Sequence, residues 1–380
     1  MTYLDIQIDT SAGSYVETQS DFFHAIFAEW LEDPETTVAC GAWSDGAVSE
    51  LVPGRRGRLL PARYEGCFAG VRELRMDGSP HHLHVDFGRV HQVCYTVAPS
   101  VCFGFKPSFE ARFLTTGPGG APTDRWSVAL MQGRPYDTGG LRSAAVERFF
   151  ERAHAHARRQ PSLVDIQIQS DVRESEEGAS LLAALRGVLS QPAADWNTLL
   201  AAIRPVVPGD AGLHLVSPAC LPLLEHALKL RDASLVIYRD RTLIEFKTER
   251  LDGVHRYEER GHVSWQIGAF EDHHCHLALA AVDRVLFSAE PVPCQGGGLN
   301  YTIWFLTPGS TGNPWRRDGY FSVTLNSPYL GRQPRHDVID PVLDLYRRYR
   351  GEPGVRADEA FLSVIEKGAP SRPWKGAARA

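Results

Sequence analysis

The sequence predicts an α+β protein built as a tandem duplication, each repeat a large antiparallel β-sheet with helices at its start and end. Three observations carry that prediction. The block His81-His82-Leu83-His84 returns 192 positions later as His273-His274-Cys275-His276. Around it, residues 81–115 and 273–307 agree without a gap at eleven of 35 positions. The matches include Val90/Val282, Val93/Val285, Pro99/Pro291 and the triplet Phe113-Leu114-Thr115/Phe305-Leu306-Thr307. Helical and strand patterns also segregate along the chain rather than alternate, which favours antiparallel sheets over a βαβ plan.

Each repeat opens on helical signals. Phe22, Phe23, Ile26, Phe27, Trp30 and Leu31 recur at the spacing of one buried helix face behind a Ser20-Asp21 start. In the second half, helical patterns run through Leu181–Leu189, Trp196–Ile203 and Pro218–Leu230. Strand signals then take over. Leu235-Val236-Ile237-Tyr238, a polar turn and Leu243-Ile244-Glu245-Phe246 spell a hairpin. Closing helices fall at Ala144–Ala157 and Asp337–Arg350. His154 and His156, on the first of these among Arg152, Arg158 and Arg159, are expected to face solvent. Because Leu4-Asp5-Ile6-Gln7-Ile8 is echoed by Val164-Asp165-Ile166-Gln167-Ile168, the repeats are placed at 1–163 and 164–352. Residues 353–380 read as a peripheral tail.

Composition narrows the class. With 43% apolar and 23% charged residues the chain is an ordinary globular sequence. A net charge of −6 and a pI near 6.2 exclude the basic stripe of a nucleic-acid surface. No apolar stretch is long enough to span a membrane. Met1-Thr2-Tyr3-Leu4-Asp5 lacks the basic and apolar regions of a leader. Seven cysteines without a C-x-x-C pair read as reduced core thiols. These features predict a cytoplasmic protein.

The histidine block carries the chemistry. In a strand, side chains alternate between faces, so His81, Leu83, Val85 and Phe87 share one face while His82, His84 and Asp86 share the other. An H-x-H pair on a strand can ligate one metal ion, and Asp86 or His91 would complete a two-histidine, one-carboxylate site for iron or zinc. The other use of such a histidine is as an axial ligand to haem iron. The second copy offers His274 and His276, with Ala278 in the place of the acid. H-E-x-x-H and a phosphate loop are absent, and the absence of G-x-S-x-G counts against a hydrolase.

The order of elements in the second half resembles a known family. A helix at Ser217–Leu230 leads to Leu235-Val236-Ile237-Tyr238-Arg239-Asp240-Arg241-Thr242-Leu243-Ile244-Glu245-Phe246. Gly261-His262-Val263, the strand His274–Leu279 and Phe305-Leu306 follow. This is similar to the C-terminal halves of the cytoplasmic haem-utilisation, or haemin-degrading, HemS/ChuX-like proteins, which are also tandem duplications. The resemblance implies haem held in a cleft between sheet and helices. It also implies an axial histidine on a helix early in the second half, but the matching segment Ala193–Leu200 contains none. His84 falls where the family has an opposing arginine.

The resemblance therefore implies a haem-binding protein with His84 as iron ligand and His82 or Asp86 orienting it. Its role would be haem degradation, haem trafficking or a haem-dependent oxidation, with haem or a small molecule as the partner. Phe103, Phe105, Lys106 and Arg112 are candidates to wall the porphyrin or pair with its propionates. Two other readings stand beside it. One is a non-haem iron or zinc enzyme using His82, His84 and Asp86, with His274 and His276 as a weaker second site. The other is a non-catalytic module whose histidines are structural.

Overall fold

A computed structural model describes residues 6–371, apart from 11–12, 43–46, 53–56, 62–70, 77–78, 100–106, 118–119, 134, 138–139, 142, 169–219, 240–241, 252, 260–261, 270–272, 292–297 and 309–320. The helical patterns at 181–189 and 196–203, and Phe103, Phe105 and Lys106, lie outside the described residues.

The first half opens with the hairpin β1 (Ile6–Thr10) and β2 (Gly13–Glu17), followed by α1 (Gln19–Leu31). Thr18, not Ser20, caps α1. Its hydroxyl accepts from the Asp21 N–H, and the Asp21 carboxylate reaches back to the Thr18 N–H. The face read from the sequence is the buried one, with Phe22, Phe23, Ile26, Phe27, Trp30 and Leu31 all in the core.

The strands that follow are β3 (Thr36–Ala42), β4 (Ala47–Leu51), β5 (Gly57–Pro61), β6 (Val71–Met76) and β7 (His82–Asp86). A 3-10 turn at Phe87–Arg89 leads into β8 (Val90–Pro99), β9 (Pro107–Thr116) and β10 (Pro122–Gln132). The short pair β11 (Tyr136–Asp137) and β12 (Gly140–Leu141) precedes α2 (Ser143–Arg159) and β13 (Val164–Ile168).

The second half follows the same plan from α3 (Cys220–Ala227). β14 (Ala233–Arg239) and β15 (Thr242–Lys247) form the expected hairpin. Next come β16 (Val254–Glu259), β17 (His262–Gly268), β18 (His274–Leu277), β19 (Arg284–Pro291), β20 (Leu299–Leu306) and β21 (Phe321–Leu325). The pair β22 (Tyr329–Leu330) and β23 (Gln333–Pro334) leads to α4 (His336–Tyr349), β24 (Val355–Ala357) and α5 (Glu359–Lys367).

Two nine-stranded sheets result, in the orders β13-β8-β9-β10-β3-β4-β18-β17-β16 and β24-β19-β20-β21-β14-β15-β7-β6-β5. Position for position these are one order. Every pairing is antiparallel except the first in each sheet, β13 with β8 and β24 with β19, which are parallel. The halves do not each keep a sheet to themselves. β5, β6 and β7 of the first half join the second sheet through β15, while β16, β17 and β18 of the second half join the first sheet through β4. Both histidine strands are therefore seams. Each pairs on one side with its own half and on the other with the opposite half.

Residues placed in the tail and at the repeat boundary by sequence are sheet members. β24 and α5 pack onto β19, with Phe361 and Val364 buried. β13, read as the opening of the second copy, closes the first sheet as β24 closes the second. One core unites the molecule. The central strands β3, β4 and β10 of one sheet lie against β14 and β15 of the other, and the apolar side chains between them form a single cluster with α1, α2, α3, α4 and α5. Cys40, Cys94, Cys220 and Cys275 are buried and carry no disulfide. Among the described residues no helix is long and apolar enough to cross a membrane.

Candidate functional site

On β7, Leu83 and Val85 are fully buried in the shared core, which turns His82 and His84 to the opposite face of the second sheet. Cross-strand register decides their neighbours. β6 places Glu73 opposite His84 and Arg75 opposite His82, while β15 places Glu245 opposite His82. His82 Nε2 lies 2.8 Å from Glu245 Oε2. The Lys247 ammonium donates to Glu245 at 3.2 Å and to the Ser234 hydroxyl at 3.1 Å. Arg75 grips Glu73 with a two-pronged contact at 2.7 and 2.6 Å. Glu73, His82 and His84 each present a donor atom within 4.8 Å of the other two.

These charges sort the two histidines. Burial alone would lower both. For His82 the Glu245 carboxylate reverses the sign, and its pKa rises. For His84 the adjacent His82 charge adds to burial and pushes the pKa down to about 4. Burial works against the ionised form of Glu245 as well, but His82 and Lys247 outweigh it and hold the carboxyl far below its usual range. Glu73 follows the same pattern, with the Arg75 hydrogen bond overcoming burial. At neutral pH His84 is therefore neutral, while the Glu245 carboxylate makes its neighbour His82 hold a proton more firmly than an ordinary imidazole. A neutral imidazole has a lone pair to offer a metal.

Other expected residues are engaged elsewhere. The Asp86 carboxylate accepts from the Gly88 N–H at 3.1 Å and caps the 3-10 turn, and Glu73 stands where a third ligand was expected. His91 is held by Thr123, whose carbonyl lies 2.9 Å from its Nε2. Arg112 belongs to β9 in the first sheet, bonded to Glu110 at 2.7 Å and lying over Trp126, so the fold does not bring it to His84. His156 is buried rather than solvent-facing, because its ring bridges the Tyr95 hydroxyl and the Glu29 carboxylate.

The second histidine strand repeats the arrangement in the first sheet. β4 places Glu50 opposite His274, and His276 lies two residues further along the same face. Glu50, His274 and His276 again present donor atoms within 4.8 Å of one another, and all three are buried. Glu73, Glu245, Glu50, Arg75 and Lys247 were not found from sequence. The available signal was a charged residue inside an otherwise apolar strand, as in Ile244-Glu245-Phe246, but its partner depends on a register that crosses between halves.

The fold and site define an α+β protein of two interlocked nine-stranded sheets, each with a histidine–carboxylate cluster at its seam. No protein-family model matches the chain, and no curated protein matches it. Among solved structures it is similar to the heme degrading enzyme ChuS of Escherichia coli O157:H7, with 11% identity and a TM-score of 0.39 over 85% of this chain and 84% of that one. It is also similar to holo-PhuS, a heme-binding protein from Pseudomonas aeruginosa, with 10% identity and a TM-score of 0.38 over 83% of this chain and 84% of that one.

Proposed function

We propose that the chain is a tandem repeat that binds haem on the outer face of the second sheet, with His84 as the iron ligand. The observation that carries this reading is the neutral, partly buried imidazole of His84 on a sheet face that it shares with the cations Arg75 and Lys247. A bare ion at Glu73, His82 and His84 has to displace both the Arg75 fork and the Glu245 ion pair. A haem iron would need a single imidazole ligand and would not require those two pairs to open. Arg75 and Lys247 on the same face match the charge of propionates, and His82 packs ring against ring with His84 at 5.1 Å and fixes its orientation. The resemblance to haem-utilisation proteins supports the same ligand.

Haem would supply the redox chemistry when bound, and His84 would hold it, with Arg75 and Lys247 as counter-charges on the same face of the sheet. The reading extends to haem degradation as the role. A second reading, a single non-haem iron or zinc ion, is favoured by the three donor atoms within 4.8 Å.

Haemin titration of the purified protein tests the first reading. A sharpened Soret band is expected, lost in His84→Ala and kept in His276→Ala. No Soret change, with iron or zinc bound stoichiometrically at Glu73, His82 and His84, transfers the function to the second reading. Reductant under air then tests the role: the band decays if haem is degraded and persists if it is carried or used as a cofactor.

A further inference from the structure

The cluster in the first sheet is related to the haem-proposed face by strand order and register, yet it differs from it in a way that changes its chemistry. In the second sheet, Glu245 and His82 meet at 2.8 Å, the length of a charge-assisted hydrogen bond. The equivalent pair, Glu50 Oε2 and His274 Nε2, stands at 3.5 Å. Ligand atoms bound tetrahedrally at about 2.0–2.1 Å lie about 3.3–3.4 Å apart, so 3.5 Å is close to the edge of a zinc coordination sphere.

The flanking charges change as well. The position of Arg75, opposite His82, is taken by Gly268, opposite His274. No side chain fits there, because Gly268 has a φ of +90° and a Cβ would stand 2.4 Å from the His273 carbonyl oxygen. The position of Lys247 is taken by Val52: the N–H of each donates to the first histidine of the opposite block. The position of Glu73 is taken by Gln266, whose side-chain amide is turned to the Gly268 carbonyl at 3.1 Å. Three positions that are charged around His82 and His84 are neutral here, and the Glu50 carboxylate and the His274 and His276 imidazoles are 4%, 3% and 5% exposed. A buried carboxylate with two histidines on one strand pair is the donor set of a His2Glu zinc site.

We propose that Glu50, His274 and His276 bind a divalent cation, zinc by donor type, as a structural ion that ties the two halves together across the β4–β18 seam. Glu50 comes from the first half and both histidines from the second, so the ion stitches the exchange of strands. Three protein donors leave a fourth position for water, and burial of all three closes that position to a substrate, which makes the role structural. The inference does not depend on haem binding.

Zinc content after chelator treatment, dialysis and reloading with equimolar zinc tests it, read by elemental analysis alongside thermal unfolding. About one equivalent is expected in the wild type, with a midpoint several degrees above that of the stripped protein. The His82→Ala/His84→Ala variant retains the ion, and Glu50→Gln and His276→Ala lose it. A folded wild type that takes up less than about a tenth of an equivalent overturns the proposal, whatever the variants do. So does zinc that follows His82 and His84 instead. Cobalt loading of the wild type gives a second check: intense visible bands of a tetrahedral ion are expected, and the weak bands of an octahedral one count against it. Failure of the haemin titration leaves all of these outcomes intact.

Discussion

His81 and His273, the first residues of the two histidine blocks, meet edge to face with ring centroids 5.0 Å apart and planes at 81°. Each uses Nδ1 to accept a backbone N–H from the other half. Lys247 donates to His81 and Val52 donates to His273, both at 3.1 Å. The Nδ1 atoms accept, so in the neutral ring the proton sits on Nε2. Phe246 completes the cluster, edge-on to His81 and stacked on His273. These rings lie on the core side of the strands, away from His82, His84, His274 and His276.

Replacing either ring by alanine leaves a backbone donor at a strand exchange without its acceptor. His81→Ala and His273→Ala are each expected to cost about 1–3 kcal/mol in urea unfolding. The double variant should cost less than the sum, because the ring contact is lost only once. His273→Phe separates the two terms: it keeps a ring and removes the acceptor. Additive losses in the double variant would refute the coupling.

Much of this was legible in the sequence, and the failures share a cause. The buried face of α1, the β14–β15 hairpin and the extents of α2 and α4 follow from period and local chemistry. The split of His81 from His82 and His84 follows from strand alternation. Glu245 and Glu50 did not emerge, because each reaches its histidine across a pairing between halves that no local pattern encodes. Asp86 has the right periodicity, but a carboxylate just before Phe87-Gly88-Arg89 is claimed by the turn it caps. His156 was misjudged from its arginine neighbours: Glu29 on α1 and Tyr95 on β8 draw it inward.

The charge pattern at the haem-proposed face has a pH signature. Burial and the His82 charge lower His84 from 6.5 to about 4, so its contribution to stability is present above 6.5 and is lost as pH falls toward 4. His82 is raised, so its contribution is full below 6.5 and fades as pH climbs through its folded value. Glu245 is depressed and contributes above 4.5, fading only in strong acid. Imidazole carbon resonances followed against pH should show one ring still neutral at pH 5 and its neighbour still protonated above 6.5. In Glu245→Gln the second ring should lose its proton at lower pH than in the wild type. Unchanged titration in that variant would break the assignment.

The last strand and helix are predicted to be indispensable. Phe361 is fully buried among Phe287, Tyr346 and Tyr301, with ring centroids at 5.5, 5.5 and 6.5 Å. Asp358 caps its helix through the Phe361 N–H at 2.7 Å and also accepts from the Ala289 N–H on β19. Phe361→Ala is expected to cost about 3–5 kcal/mol. A chain ending at residue 352 should lose the cooperative unfolding transition seen by circular dichroism. A full transition in the truncated chain would mean that the segment only decorates the fold.

Glu290, at the edge of that same contact, sets a base-side limit. Burial first, and then the Asp358 carboxylate, raise its pKa from 4.5 to about 7. A raised carboxyl holds its proton in the folded chain and releases it in the unfolded one. Its contribution is therefore full below 4.5 and is lost as pH rises through about 7. Glu290→Gln keeps the shape of the protonated acid and cannot ionise. The variant should match the wild type near pH 5 and exceed it near pH 8 by about 1–3 kcal/mol, the lower end reflecting screening of a partly exposed group. Thermal unfolding across that range distinguishes this from a packing effect: a packing gain shifts the midpoint equally at both ends, whereas loss of an ionisation shifts it only at the alkaline end.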